Sequence, residues 1–315
     1  MAVAGRAATA AAPRRRRSDR FRAITTVVSL VAPVALLAII VVIGSAGLPA
    51  LRQFGVGFLT SRAWNPVTDQ FGALPFIYGT LVTSAIALLL ATPVGVGVAI
   101  FLAEPGAPRL RGAIGTGVEL LAAIPSVVYG IWGLYVLAPW LLLHVSRPLS
   151  ERLGGIPLLA APARQTNLLV ASLVLSVMVL PTLSSIAREV IRAVPVGMRE
   201  ASVALGATWW ETMWKVVLPA ARAGVFGATI LALGRALGET IAVTMTIGNR
   251  PDIPASLLSP AYTLASVIAN EFAEATGTIY PSALVLLGLV LVLVTLSINV
   301  LALLLVGSVS REARV

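Results

Sequence analysis

The sequence predicts an all-α integral membrane protein with six transmembrane helices and both termini on the cytoplasmic side. Three observations lead there. The 315-residue chain is 58% hydrophobic and only 11% charged, with a mean hydropathy of +0.94, which is far more apolar than a water-soluble domain of this length. Six apolar runs, 24–44, 74–103, 116–143, 168–187, 223–247 and 282–306, reach the about 20 residues that a bilayer-crossing helix requires. With the N-terminus inside, 16 of the 23 basic residues fall on the cytoplasmic side, against six outside (Arg52, Arg62, Arg147, Arg152, Arg164 and Arg250), with Arg235 inside a span. That asymmetry fixes an N-in, C-in topology.

Residues 1–23, with the run PRRRRSDR, are expected to be a disordered basic cytoplasmic leader that orients the first span and lies close to anionic lipid. The first apolar run exceeds the about 7–15 residues of a signal-peptide core, so it reads as an uncleaved anchor. An outer loop, 45–73, carries Trp64, Pro66 and Gly72. The second and third runs contain Pro93 and Pro125, which predict kinked or partly broken helices. A loop over 144–167 with Pro148, Pro157 and Pro162 leads to the fourth span. The outer segment 248–281 holds Asp252, Glu271 and Glu274 against Arg250. The six-span domain is expected over 24–310, with a cytoplasmic tail at 311–315.

Several function classes are excluded by composition. The chain has no cysteine and one histidine, His144, so thiolate chemistry, cysteine metal sites and multi-histidine metal sites are absent. The net charge of +10 follows membrane topology and is not a nucleic-acid footprint. No His, Asp or Cys constellation lies near one interface, as a membrane enzyme would need.

Residues 188–222 are too apolar for a free loop and too charged to cross. Two short helices fit. One follows Pro195 and ends near Gly206, which can take the left-handed conformation that stops a helix. The second starts at Thr208, with Glu211 three residues on as a capping box. Trp210, Met213, Trp214 and Val217 form an expected apolar stripe, and Pro219 is expected to end this helix. Such a pair is either an interfacial anchor or a docking knob for a soluble partner. EASVALG, then nine residues and VVLP, resembles the signature of permease subunits of ABC importers. The matching residues are Glu200, Ala201, Ser202, Gly206, Val216, Leu218 and Pro219, with Ser202 where a second alanine is usual. The resemblance implies the type I importer permease fold and a coupling helix that seats in a cytosolic ATPase dimer. The only lysine, Lys215 in MWKVV, belongs to no phosphate-binding loop. The chain is therefore expected to be a transport subunit and not an enzyme, with no cofactor of its own, and ATP and Mg would be held by a separate ATPase.

The fifth run places Arg235 and Glu239 in the membrane, where a central charge costs about 2.5–3.5 kcal/mol on insertion scales. Four residues apart, they are expected on one helix face as a neutralising pair, with Thr246 on the same face, as a lining of the substrate path. A buried ion pair that only fixes helix register is the alternative. Gly227, Gly234 and Gly238 are expected to pack against a neighbouring helix. ALGRALGETIAVTMTIGN, FLTSRAWNPVTDQFGALPFIYGTLVTS and IPSVVYGIWGL resemble the permease subunits of phosphate importers, PstC type, across most of 54–306. The resemblance implies a bacterial inner-membrane protein that works with a second homologous permease, two ATPase subunits and an external phosphate-binding protein docking on 45–73 and 248–281. Arg235 would contact phosphate, with Glu239 as its latch or as acceptor of the phosphate proton. A permease for sulfate or molybdate, and a channel without an ATPase, are the remaining readings.

Overall fold

The computed structural model describes residues 15–104, 108–160 and 164–312. In chain order the elements are α1 (Arg15–Ala46), α2 (Leu48–Phe54), α3 (Gly57–Thr60), β1 (Trp64–Asn65), β2 (Gln70–Phe71), α4 (Leu74–Ala103) and α5 (Pro108–Ala123). They continue as α6 (Ser126–Leu153), α7 (Leu168–Arg192), α8 (Val196–Ala204), α9 (Trp209–Leu237), α10 (Ile241–Ile247), α11 (Leu264–Glu271) and α12 (Ile279–Glu312). Six of these helices are long and apolar enough to cross a membrane: α1, α4, α6, α7, α9 and α12. The protein is thus a multi-pass, all-helical membrane protein, with one two-residue hairpin pairing Trp64 with Phe71 and Asn65 with Gln70.

α7 is the central helix. It lies along α4, α9 and α10, burying Leu168, Leu175, Val179 and Leu183 against Ala87, Ala91, Ala232 and Ala236. Small alanines on the partners let the helices approach closely, which matters where lipid tails are as apolar as leucine. α1 lies against α2 and α12, and none of its described side chains is buried. Such an apolar rod is stable only in lipid or against another chain.

Four boundaries differ from the sequence expectation. The first helix starts at Arg15, so the described part of the leader, 15–23, is helical, while 1–14 lie outside the described residues. The third run is divided: α5 stops at Ala123, and α6 begins at Ser126 after Pro125 takes an extended backbone (φ −60°, ψ 145°). A proline lacks an N–H and disfavours helix in the residue before it, which hydropathy alone does not register. α6 then continues to Leu153, through residues expected to be loop. The fifth run also breaks, between Leu237 and Ile241.

Pro219, expected to end a helix, sits inside the continuous rod α9. A wide π turn over Met213–Val217 precedes it, and the same device precedes Pro139 (Gly133–Leu137) and Pro148 (Leu142–Ser146). The wider turn relieves the missing N–H and the ring's clash with the carbonyl four residues back, so the helix passes through the proline.

On the outer side, the Glu271 carboxylate accepts from Trp64 Nε1 (2.8 Å) and from the Tyr280 hydroxyl (2.7 Å), stapling the hairpin to α11 and α12. Trp64 meets Phe76 edge-on and Phe71 stacks on Tyr280. Residues 248–263 turn back into the bundle and satisfy its free helix ends. Ala261 N donates to Ile247 O, Leu168 N to Ser259 O and Leu169 N to Leu257 O. α4 crosses this returning segment at Gly79, where a Cβ would lie 2.1 Å from Tyr262 O. Gly79→Ala is expected to lower stability by about 1–3 kcal/mol, seen as a lower melting temperature in detergent. Gly97→Ala, where a Cβ meets nothing within 4 Å, leaves it unchanged.

Candidate functional site: the cytoplasmic hairpin and the break in the fifth span

The expected helical hairpin is present. α8 follows Pro195, and Gly206 turns the chain at φ +88°, a conformation that favours glycine. Thr208 and Glu211 form the reciprocal capping box: the Thr208 side chain accepts from Glu211 N, and the Glu211 carboxylate accepts from Thr208 N at 3.0 Å. Lys215 pairs with Glu211 at 3.0 Å one turn on. Ser202, which stands in place of alanine in the signature, has a use here: its hydroxyl lies 3.0 Å from that of the buried Thr212 and ties the two helices together. Glu200, Ala201, Gly206 and Pro219 are exposed, while Val216 and Leu218 are half-buried. Between the helices opens a cleft of about 620 Å³ lined by Met198, Ala201, Leu205, Glu211, Lys215 and Val216.

The expected four-residue stripe is divided in two. Met213 and Val217 are buried at 1% and 0% exposure, whereas Trp210 and Trp214 are each 61% exposed. On a helix the two pairs point about 60° apart, and only the first reaches the core made with Ile191 and Ala99. The tryptophans instead join Leu88, Leu89, Pro93 and Val96 of α4 in lining an apolar groove of about 820 Å³.

One buried charge escaped the sequence reading. Glu104, just past the end of α4, is 7% exposed and ion-paired with Arg199 of α8. Trp209 Nε1 donates to it at 3.4 Å. Arg199 also donates to Ile191 O at 2.7 Å, and burial lowers its guanidinium below the ordinary value. The available signal was a lone acid closing an apolar run, FLAEP.

At the far end of α9 the expected ion pair is absent. Neither Arg235 nor Glu239 takes part in the ion pairs seen among the described residues, which include Arg199–Glu104, Lys215–Glu211 and Arg250–Asp252. Arg235 is in the last turn of α9 and exposed, and Glu239 is in the break beyond the Gly238 cap. The break swings Glu239 off the helix face on which a four-residue spacing would have set it beside Arg235. Its carboxylate accepts from Ala242 N at 3.4 Å at the start of α10, a favourable place for an anion.

Thr246 does not line a path with them. It is 0% exposed, its hydroxyl donates to Ala242 O at 2.7 Å, and its methyl faces Gly133 of α6. α10 packs on α6 so closely that a Cβ at Gly130 would meet Met245 Sδ at 2.6 Å. Both helices lie just beyond their breaks, and the Tyr129 hydroxyl donates back across the α6 break to Leu121 O at 2.8 Å. Among the described residues the expected close glycine packing is not found: a Cβ at Gly227 or Gly234 meets nothing within 4 Å, and the two glycines line a cleft of about 510 Å³ walled by Ile186 of α7 and by Asn299 and Leu303 of α12.

Replacing Ser202 by alanine leaves Thr212 without its side-chain partner and is expected to cost about 1–3 kcal/mol locally. Faster amide exchange across residues 205–212 by mass spectrometry would record it.

Residues 91–315 match the family model described as "Binding-protein-dependent transport system inner membrane component". A "Phosphate transport system permease protein PstC" of Mesorhizobium japonicum is 47% identical over 286 residues, covering 90% of this chain and 88% of the relative. The protein of that name from Haemophilus influenzae is 40% identical, covering 92% and 93%, and "PstC 1" of Mycobacterium tuberculosis is 39% identical, covering 84% and 85%. Among solved structures, a bacterial ABC transporter involved in the import of the acidic polysaccharide alginate aligns at a TM-score of 0.59 and 17% identity, covering 93% of this chain and 99% of that one. The MetNI methionine ABC transporter in an inward-facing form aligns at 0.54 and 18%, covering 74% and 95%. The fold is therefore that of type I ABC importer permeases, and the chain belongs to the family of binding-protein-dependent transport system inner membrane components.

Proposed function

We propose that this chain is the permease subunit of an ATP-driven importer of inorganic phosphate. In this reading it sits in a bacterial inner membrane, forms half of the translocation path and couples to a cytosolic ATPase. One observation carries the proposal: a single unbroken helix, α9, joins the docking hairpin at Trp209 to Arg235 at the break. Its 29 residues make a rod of about 43 Å at 1.5 Å per residue, stiff enough to carry motion from the cytoplasmic surface into the membrane.

The chemistry agrees with an oxyanion. Arg235 is exposed on the lone chain and makes no ion pair among the described residues. A cation inside a span normally faces a water-lined cavity or a partner chain. Its guanidinium fork suits a phosphate oxygen pair. Glu239 takes the part of a cap that holds the break open. Thr246 is withdrawn from the path because its hydroxyl is spent on its own helix. Glu200, Ala201 and Gly206 face the ATPase dimer, Ser202 braces the hairpin, and Leu218 and Pro219 join it to the span. ATP and Mg belong to the ATPase. A second homologous permease completes the translocation path, and an external phosphate-binding protein docks on the stapled outer segments. The naming of the relatives as phosphate permeases supports the choice of phosphate.

Arg235→Gln in the assembled transporter is expected to reduce phosphate uptake by roughly 10-fold or more, the worth of one charge-assisted hydrogen bond, with the ATPase still bound. Uptake at the wild-type rate would remove Arg235 from the path. Competition by sulfate or molybdate equal to that by unlabelled phosphate would replace phosphate as the substrate.

A further inference from the structure

We infer that Glu104 is a positioning residue: a strut that makes the cytoplasmic end of α4 move as one body with the docking hairpin. The inference rests on the permease reading above. Around this carboxylate the end of α4 meets the consecutive helices α7, α8 and α9, about 90 or more residues further along the chain. α4 supplies Glu104, α8 the paired Arg199, and α9 the Trp209 donor of its first turn. α7 joins through Ile191 O, which accepts from Arg199 at 2.7 Å, and through Arg192, which donates to Leu102 O at 3.1 Å. Around the node the contacts are apolar, from Ala99, Ile100, Val194, Met213 and Val217.

The two kinds of contact do different work. Apolar burial is non-directional and holds these helices together over a range of relative angles. A charge pair with a planar guanidinium fork selects one of them. A carboxylate only 7% exposed is costly unless paired, and loss of its charge strands Arg199. The link from α7 to α8 is short, through Ala193, Val194 and Pro195, and without the strut it is free to act as a hinge. With the strut in place, displacement of the hairpin by the ATPase is passed to α4 as well as to α9.

The test measures inorganic phosphate uptake and ATP hydrolysis together, in liposomes holding this chain assembled with its second permease and ATPase. Glu104→Gln keeps the shape and removes the charge. It is expected to raise ATP hydrolysed per phosphate moved by about five-fold or more, the low end of coupling between linked sites. Glu104→Asp, or the exchanged pair Glu104→Arg with Arg199→Glu, brings the ratio back toward wild type. A fall in both rates with an unchanged ratio indicates a role in stability alone and overturns the strut. If Glu104→Gln does not assemble, the exchanged pair decides: a wild-type ratio supports the strut and a raised one overturns it. A wild-type complex that neither retains an ATPase nor takes up phosphate overturns the permease reading, and the strut with it.

Discussion

Lipid offers the backbone no hydrogen bonds, and the breaks within the described spans lie where the protein supplies them instead. Tyr129 returns a bond to Leu121 across the break before α6. Glu239 caps α10 beyond the break in the fifth span. The returning segment 248–263 bonds the carbonyl end of α10 and the amide end of α7 in one stroke. Three prolines are passed through on π turns. The architecture follows: long rods, with two interruptions placed side by side inside the bundle.

Those interruptions give the fifth span its two ends. Below the break, α9 is rigid down to the capping box at the cytoplasmic face. Above it, α10 is locked to α6 at glycines that leave no room for a side chain. Arg235 sits at the junction of the continuous rod and the half-helix beyond the break. The same division appears at the cytoplasmic surface, where apolar burial fixes proximity and the Glu104–Arg199 pair fixes angle. A permease must move without unpacking, and directional polar contacts at a few points, within an otherwise apolar bundle, meet that need.

Much of this was legible in the chain before it folded. Thr208 and Glu211 announced a capping box because its hydrogen bonds join residues three apart. Gly206 announced a turn for a similarly local reason. The docking signature and the sites of the spans were readable because apolar run length is a local property. The Arg235–Glu239 pairing was misread, since a four-residue spacing implies a shared face only if the helix is continuous. Thr246 failed with it. Pro219 was misread the other way, because a π turn five residues long rescues the helix and leaves no mark in composition.

By itself the sequence determined what is set by local chemistry and by the solvent: six apolar rods, their orientation, the capped hairpin and a cation placed in the fifth span. The tertiary structure decided what depends on residues far apart in the chain. It joined Glu104 to Arg199 across 95 positions, turned Thr246 into the core, left a cleft beside the α9 glycines and set the two breaks against each other. The physical reason is that helix periodicity records which way a side chain points from its own axis, and nothing about which other axis is packed beside it.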